Sequence, residues 1–244
     1  MKSAYTPETV SRSLAFYPLA GLAVGAIVFV AAALLPDAPV PLNAGVLLLL
    51  WTALTGGLHL DGWIDSADAF GSHRDRAAML EVMKDSRAGA MGVIFAVFLL
   101  LLKWIALWTL LAHTAATALS DRALAYALLL IPAAARWLMA AAVAAGPYIG
   151  GSSGIGAHFS QARKRWIAGA ALWLLPVQLL LPAPVWLAVF AGQLLAAGLI
   201  RRAVLRKLGG WTGDTFGALN EASETAGLIA AAYIAAALAA GGIN

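Results

Sequence analysis

Three aspartates, Asp61, Asp65 and Asp68, follow one another at positions i, i+4 and i+7. In a helix this spacing places all three carboxylates on one face. Like charges on one face repel each other, so the arrangement is favourable when a cation binds between them. Carboxylate oxygens are ligands that suit Mg²⁺, and phosphate oxygens commonly complete its shell. The spacing therefore predicts a divalent-metal site that handles a phosphorylated compound.

The surrounding stretch, residues 56–92, is the longest polar stretch of the chain and reads GGLHLDGWIDSADAFGSHRDRAAMLEVMKDSRAGAMG. Glu81 and Asp85 repeat the i, i+4 spacing, and we interpret Asp85 as a further metal ligand. Either of these two acids is a candidate general base for an attacking hydroxyl, with His59 as a less favoured candidate. Three bases are candidate ligands of a leaving phosphate: Arg76, Lys84 and Arg87. The alternative is a solvated loop whose acids pair with its own bases.

The composition identifies the class of protein to which this site belongs. Apolar residues make up 62% of the 244 residues and charged residues only 11%, against about 25% charged residues in ordinary globular domains. This predicts an all-α, polytopic integral membrane helix bundle, read as a single membrane domain over residues 1–244. The net charge of +4 gives no indication of nucleic-acid binding, and the absence of cysteine excludes disulfides and thiolate metal sites.

About seven membrane spans, within a range of six to eight, are predicted from apolar runs of the length that a bilayer requires. They cover residues 14–35, 42–60, 90–112, 122–145, 166–182, 184–201 and 219–240. Prolines interrupt the fifth and sixth, which could instead form a tight hairpin or a broken pair. The first span is expected to be retained rather than cleaved as a signal peptide. Loops that contain lysine or arginine alternate along the chain with loops that contain neither. This pattern predicts a cytosolic N-terminus and places the polar loops in the cytosol.

Two bases, Lys103 and Arg136, lie inside apolar runs. Ionisable residues within a membrane face the bundle interior or a polar cavity and often mark a functional site. We therefore interpret both as ligands of a phosphate or another acidic group of the substrate. The alternatives are a structural ion pair and side chains that extend to the membrane surface.

Glycine-rich stretches occur at residues 150–165 and 208–227. The first is a weak candidate for a phosphate cradle, and a flexible loop with His158 is the alternative. In the second, backbone N–H groups at the start of the last helix could bind an anion, and Thr212 and Thr215 could cap that helix. The candidate substrate-binding residues here are Gly209, Gly210, Thr212, Gly213 and Asp214. A glycine-rich turn followed by an N-cap is the alternative.

Together these residues resemble the signature of the cobalamin synthase family, also called adenosylcobinamide-GDP ribazoletransferase. The matching pattern is GG-L-HLDG-xx-D-xx-D followed by DR-xxx-LE-xx-KDSR-x-G-xx-G, which covers residues 56–92. The resemblance continues through YPLAGLAVGA at 17–26, GIGAHF at 154–159 and GG-x-TGDT-x-GA at 209–218, and it includes Lys103, Arg136 and Glu221. The chain has Ala69 where members tend to have glycine.

The resemblance implies a Mg²⁺-dependent enzyme of the cytoplasmic (inner) membrane that carries out the last step of cobalamin nucleotide-loop assembly. Such an enzyme joins adenosylcobinamide-GDP to α-ribazole or α-ribazole 5′-phosphate and releases GMP. The enzyme is expected to be embedded in the lipid bilayer. Association with other enzymes of cobalamin assembly and a homo-oligomeric state remain open, as do the number of metal ions and the preferred acceptor.

Two other classes of protein have acids next to membrane helices. Polyprenyl-diphosphate transferases also bind a diphosphate through Mg²⁺ and aspartates, but their motifs typically contain adjacent acids, which the present stretch lacks. A transporter would be expected to contain inverted repeats and ion sites near the middle of the membrane. The chain has no evident internal repeat, and its acids lie at one predicted membrane face. The sequence therefore favours the synthase.

Overall fold

The computed structural model describes residues 7–35, 38–115, 125–151 and 164–240, and within these ranges the regular structure is helical. The helices are α1 (Pro7–Ser13), α2 (Tyr17–Leu34), α3 (Val40–Leu54), α4 (Leu58–Gly71), α5 (Arg76–Val82), α6 (Ala90–Ala115), α7 (Ala127–Ala144), α8 (Lys164–Ala170), α9 (Leu175–Leu180), α10 (Ala183–Lys207) and α11 (Gly213–Ala239). Short 3₁₀ segments at Leu14–Phe16 and Ala171–Leu174 join α1 to α2 and α8 to α9. The predicted all-α class is confirmed.

Five of the helices in the described ranges are long and apolar enough to cross a membrane, namely α2, α6, α7, α10 and α11. The bent pair α3 and α4 raises the count to six if it is one span. The chain is therefore a multi-pass membrane protein with a helical bundle. The predicted sixth span is the continuous helix α10, despite the prolines at its start, because proline is well tolerated in the first turn of a helix.

The predicted fifth span, residues 166–182, differs from expectation because it is broken into α8, a 3₁₀ turn and α9. Pro176 has no N–H group to donate along the helix, and its ring crowds the carbonyl of the preceding turn. The chain therefore tightens into a 3₁₀ turn before α9 begins. This break is one reason why the described ranges contain fewer than seven long apolar helices.

The predicted second span, residues 42–60, also ends earlier than expected. α3 stops at Leu54, and α4 leaves at 89° to it. Gly56 and Gly57 between them have φ angles of 62° and 71°, a left-handed conformation that glycine adopts without steric cost. This turn directs α4, and with it the acidic stretch, away from the direction of α3.

In a membrane, apolar side chains gain little free energy by moving from lipid into the protein, so close packing between helices must hold the bundle together. Gly21 and Gly25 of α2 lie directly against α7, and a Cβ atom at Gly21 would stand 2.3 Å from the Pro132 carbonyl oxygen. Leu47, Leu107, Ile131 and Leu228 come from different helices and meet in one buried apolar cluster. The membrane-spanning helices therefore pack around a common apolar core.

Candidate active site at one end of the bundle

The acidic face predicted for residues 61–68 is present in α4, which is helical from Leu58 to Gly71. Asp61 is exposed and lines a cavity of about 390 Å³ together with Asp214, from the first turn of α11. The two helices can approach because Gly62 has no side chain, since a Cβ atom there would lie 2.6 Å from the Asp214 carbonyl oxygen. Asp61 and Asp214 therefore reach the same cavity from two different helices.

The four nearby carboxylates influence one another. Asp61, Asp214 and Asp68 each act electrostatically on Asp65, which is itself partly buried. Such mutual repulsion is relieved when a cation is bound. This end of the bundle is therefore suited to a cation, and the metal site itself stays a prediction.

The described residues do not bring three or more acids or histidines together into a preformed metal cluster. Mg²⁺ is usually held by one or two carboxylates and completed by substrate phosphates and water, so a protein cage of three ligands is not required. The pair Asp61 and Asp214, with Asp65 beside it, fits that mode of binding. The assignment of Asp61, Asp65, Asp68 and Asp85 as metal ligands stays a prediction.

Asp68 has a second role that its spacing does not reveal. Its two carboxylate oxygens accept hydrogen bonds from the backbone N–H groups of Gly89 and Gly92, each at 2.7 Å. These N–H groups lie just before and within the first turn of α6, where backbone donors have no partner in the helix. Asp68 thus ties α4 to the start of α6.

The predicted base and phosphate-binding residues around α5 are exposed and paired with each other. Glu81 accepts a hydrogen bond from Lys84 at 2.7 Å, and Asp85 forms two such bonds with Arg87, at 2.9 and 2.7 Å. Hydrogen bonds from Arg87 lower the pKa of Asp85 to about 2. Asp85 is therefore a weak base at neutral pH, which favours another carboxylate for proton transfer. Asp85 and Asp68 line a separate cavity of about 290 Å³.

Arg76 begins α5 and lies beside the loop that precedes α11. A Cβ atom at Gly209 would stand 3.5 Å from the Arg76 guanidinium, so this base is close to the predicted glycine-rich loop. Gly209 has a φ of 73°, which favours glycine at this turn. The structure thus brings together two predicted substrate-binding regions that are far apart in the sequence.

The loop itself is fixed by a short backbone pairing. The N–H of Trp211 donates to the Pro147 carbonyl, and the N–H of Ile149 donates to the Trp211 carbonyl, both at 2.8 Å. α11 then begins with the expected cap, because the Thr212 and Thr215 side chains each accept a hydrogen bond from the other's backbone N–H. The prediction that these threonines cap the last helix is confirmed.

Lys103 and Arg136 form a buried ionic network with two glutamates of α11. Lys103 donates to both Glu221 and Glu224, and Arg136 donates to Glu224 at 2.8 Å. Two positive and two negative charges offset one another, as buried charges require. Arg136 also lines the 390 Å³ cavity, so its predicted contact with substrate stays a prediction, while the ion pairs that the sequence left as an alternative are present.

Asn220 determines which ring nitrogen of a neutral His59 carries the proton. The Asn220 amide nitrogen lies 3.1 Å from Glu224 Oε1 and 3.1 Å from His59 Nδ1. An ionised carboxylate only accepts hydrogen bonds, so the Asn220 atom beside it must be the amide nitrogen. Its second N–H then points at Nδ1, and a neutral His59 carries its proton on Nε2. A neutral His59 is therefore arranged as a hydrogen-bond donor, which disfavours it further as the general base, a role for which it was the less favoured candidate.

Asp214 and Gly213 also line a second cavity, of about 530 Å³. We call the 390 Å³ space the first cavity and this one the second cavity. The second cavity is bordered by Glu81 of α5, by Lys84 just after α5, by Thr212, and by residues 148–151. Burial and the nearby Asp214 carboxylate raise the pKa of the Tyr148 phenol, which lies outside the spans. Residues 152–163 of the predicted 150–165 loop, including His158, lie outside the described residues, and residues 164 and 165 belong to α8.

Two residues important to the geometry were given no role of their own from the sequence. Gly62 lies within the acidic stretch, but only the crossing of α4 and α11 reveals that a side chain there would block Asp214. Asn220 lies four residues before Glu224 in a largely apolar helix. That i, i+4 spacing of polar residues on one helix face was the signal that could have identified it.

The fold and the site define a multi-pass helical membrane protein with an acid-rich site at one end of its bundle. Residues 1–232 match the family model described as cobalamin-5-phosphate synthase. The chain belongs to this family. No solved structure gives a significant match.

Relatives of known name agree with the family match. The chain is 39% identical over 239 residues to an adenosylcobinamide-GDP ribazoletransferase of Pseudomonas entomophila, covering 94% of this chain and 91% of the relative. It is 39% identical over 235 residues to the protein of that name in Ectopseudomonas mendocina, covering 93% and 90%. For the one in Stutzerimonas stutzeri the identity is 41% over 225 residues, covering 92% and 88%.

Proposed function

We propose that this chain is a Mg²⁺-dependent adenosylcobinamide-GDP ribazoletransferase. It joins adenosylcobinamide-GDP to α-ribazole or its 5′-phosphate and releases GMP. The observation that carries the proposal is the meeting of Asp61 and Asp214, from two helices, in one cavity. Family membership and the names of the relatives support the choice of substrates.

The reaction is a transfer between phosphate esters, so positioning and charge compensation dominate catalysis. A ribazole hydroxyl oxygen attacks the phosphorus that carries the cobinamide group, the bond from this phosphorus to the GMP oxygen breaks, and GMP leaves. The hydroxyl proton passes to a carboxylate, for which Asp214 is well placed between the two cavities. Arg76, Lys84 and Arg87 compensate the charge on the leaving GMP.

Asp61 and Asp65 would hold Mg²⁺, with Asp68 keeping α4 in register against α6. The bound ion would neutralise charge on the phosphoryl oxygens. The order of the acids along α4, with Asp61 nearest the first cavity, supports this division of roles.

The protein is proposed to lie in the cytoplasmic membrane with its N-terminus and the site in the cytosol. Arg74, Arg87 and Lys207 are among the bases at the site end of the bundle, as the tendency of basic loops to remain cytosolic predicts. Membrane residence would also bring the chain together with other enzymes of cobalamin assembly or with a second copy of itself.

The proposed activity is tested by measuring GMP release from the purified protein in nanodiscs. Adenosylcobinamide-GDP is supplied with or without α-ribazole, and with Mg²⁺ or with a chelator. Release that requires both α-ribazole and Mg²⁺ is expected. GMP release without α-ribazole would indicate a hydrolase, and no release under any of the conditions would contradict the proposal.

The same assay tests the acids. Asp61→Asn and Asp214→Asn keep the size of the side chain but remove its charge, and each is expected to lower turnover by about 10²-fold or more. Glu8→Gln is the matched control, since Glu8 is an exposed acid that pairs with Arg12 in α1. Equal turnover in the control and in the Asp61 variant would exclude Asp61 from the site.

A further inference from the structure

The two cavities differ in the kind of molecule that they can accept. Both are bounded by Gly213 and Asp214, so a molecule in either would reach the same carboxylate. Their other walls come from different elements. The first cavity lies between α2, α4, α7 and α11, whereas the second lies between α5, the 148–151 segment and the start of α11.

The walls of the first cavity are mainly apolar. Leu58, Met139 and Val143 line it, with the aromatic rings of Tyr17 and Phe216. The charged and imidazole side chains that line it are Asp61, Asp214, Arg136 and His59. Apolar walls with a few convergent polar groups are typical of small-molecule sites, and the rings of Tyr17 and Phe216 can pack against an aromatic ligand. The charge of Arg136 in this cavity is already offset by Glu224, so a strongly anionic ligand gains little there.

The second cavity is more polar and larger. Lys84 offers an ammonium group to this cavity, and the space where a side chain of Gly151 would stand is open, so that a ligand can approach the backbone there. The Lys84–Glu81 pair is 70% and 72% exposed, and exposed ion pairs exchange partners at little cost. These features suit the phosphates and ribose of a nucleotide.

We propose that the two substrates occupy different cavities and meet at Asp214. The first cavity takes the apolar benzimidazole base of the ribazole acceptor, with its ribose directed to Asp61 and Asp214. The second cavity takes the guanosine diphosphate end of the donor, whose corrinoid is too large for either cavity and remains outside. This assignment rests on the proposed function and adds to it which part of the site selects each substrate.

Crossed variants test the assignment through the KM of each substrate. Val143→Phe fills part of the first cavity and is expected to raise the KM for α-ribazole about tenfold, with the KM for adenosylcobinamide-GDP changed less than about twofold. Ala77→Phe in the second cavity is expected to do the reverse. The opposite pairing, or equal effects on both KM values, would overturn the proposal.

Binding without turnover separates this proposal from the proposed function. Isothermal titration calorimetry is carried out with α-ribazole and, separately, with GDP and Mg²⁺, on the wild-type chain and on Val143→Phe. The variant is expected to lose at least about tenfold in affinity for α-ribazole and to keep its affinity for GDP. Retained α-ribazole affinity in the variant would overturn the assignment of cavities. Normal binding of both ligands to a wild-type chain that releases no GMP would contradict only the proposed function.

A folding control accompanies both measurements. Val143 lies in α7 and is partly buried, so a larger side chain could disturb the bundle. Met139→Leu, in the same cavity wall, conserves volume approximately and should fold like the wild type. A thermal midpoint of Val143→Phe close to that of Met139→Leu assigns the KM change to the cavity. If Val143→Phe unfolds early, Ala20→Phe fills the same cavity from α2 and is judged by the same KM criterion.

Discussion

Asn220 and Glu224 determine the protonation of His59, which lines the first cavity. Asn220 is fully buried, and its amide nitrogen has Glu224 on one side and His59 on the other. If Nδ1 of His59 were protonated, its N–H would face the N–H of Asn220, and two donors cannot form a hydrogen bond with each other. The neutral imidazole with its proton on Nε2 is therefore the stable form, and it can donate to a phosphoryl or hydroxyl oxygen.

This arrangement predicts the protonation state of His59. In ¹⁵N-histidine-labelled protein in nanodiscs, the His59 Nδ1 signal is expected to be that of an unprotonated nitrogen at pH 7. Asn220→Asp replaces the donor with an acceptor and is expected to protonate Nδ1 and to shift the pH–rate profile. His73, which is exposed, serves as the internal control. A protonated Nδ1 in the wild-type chain would contradict the inference.

At the scale of helices, the crossing of α4 and α11 brings the acids together. Gly62 faces the Asp214 backbone, and a Cβ atom at Gly217 would stand 3.0 Å from the His59 carbonyl oxygen. The two helices thus touch through positions that lack side chains. Asp61, next to Gly62, then enters the same cavity as Asp214.

Substituting the close contact tests the importance of this crossing. In Gly62→Ala the new methyl group would meet the Asp214 carbonyl at 2.6 Å, so the helices must separate. Misplacing catalytic groups by about 1 Å can cost about 10²-fold in rate, and a loss of this size in GMP release is expected. Gly198→Ala is the control, because a Cβ atom at this helical position meets nothing within 4 Å. Equal rates in the two variants would refute the role of the crossing.

At the scale of the whole molecule, a buried ionic network links three of the long helices. Lys103 belongs to α6, Arg136 to α7, and Glu221 and Glu224 to α11. The side chains are at most 8% exposed. Removing one charge leaves another unpaired in a medium of low polarity, which is costly.

Lys103→Met is therefore expected to destabilise the protein by about 3–5 kcal/mol, measured by thermal unfolding in detergent micelles. Adding Glu221→Gln to this variant should recover part of the loss, because it removes the charge left unpaired. Lys84→Met is the control, since its ion pair with Glu81 is exposed and is worth about 1 kcal/mol or less. A loss in the control as large as in Lys103→Met would argue against the network as a stabilising element.

The proposed orientation in the membrane can be tested directly because the chain has no cysteine. A single cysteine is introduced as Ala88→Cys or as Ala240→Cys. Ala88 lies in the exposed loop before α6, and Ala240 follows α11 at the opposite end of the bundle. A membrane-impermeant thiol reagent is expected to label Ala88→Cys in inside-out vesicles and Ala240→Cys in right-side-out vesicles. The reverse pattern would place the site outside the cytosol.

The sequence by itself determined the class of the protein and the location of its acidic site. Apolar runs of bilayer length require helices, since each backbone polar group must be satisfied within lipid, and i, i+4, i+7 spacing places Asp61, Asp65 and Asp68 on one face of any helix. The threonine cap of the last helix was also predictable, because it depends on residues three positions apart.

The tertiary structure decided which groups meet. Residues far apart in the chain form each of these contacts. Asp61 shares a cavity with Asp214, Asp68 accepts hydrogen bonds from backbone N–H groups at the start of α6, and glutamates of α11 neutralise Lys103 and Arg136. Local spacing carries no information on such contacts, because they depend on how closely two helices can approach. A residue without a side chain, Gly62, sets that approach for α4 and α11, and so decides where the acids of the site lie.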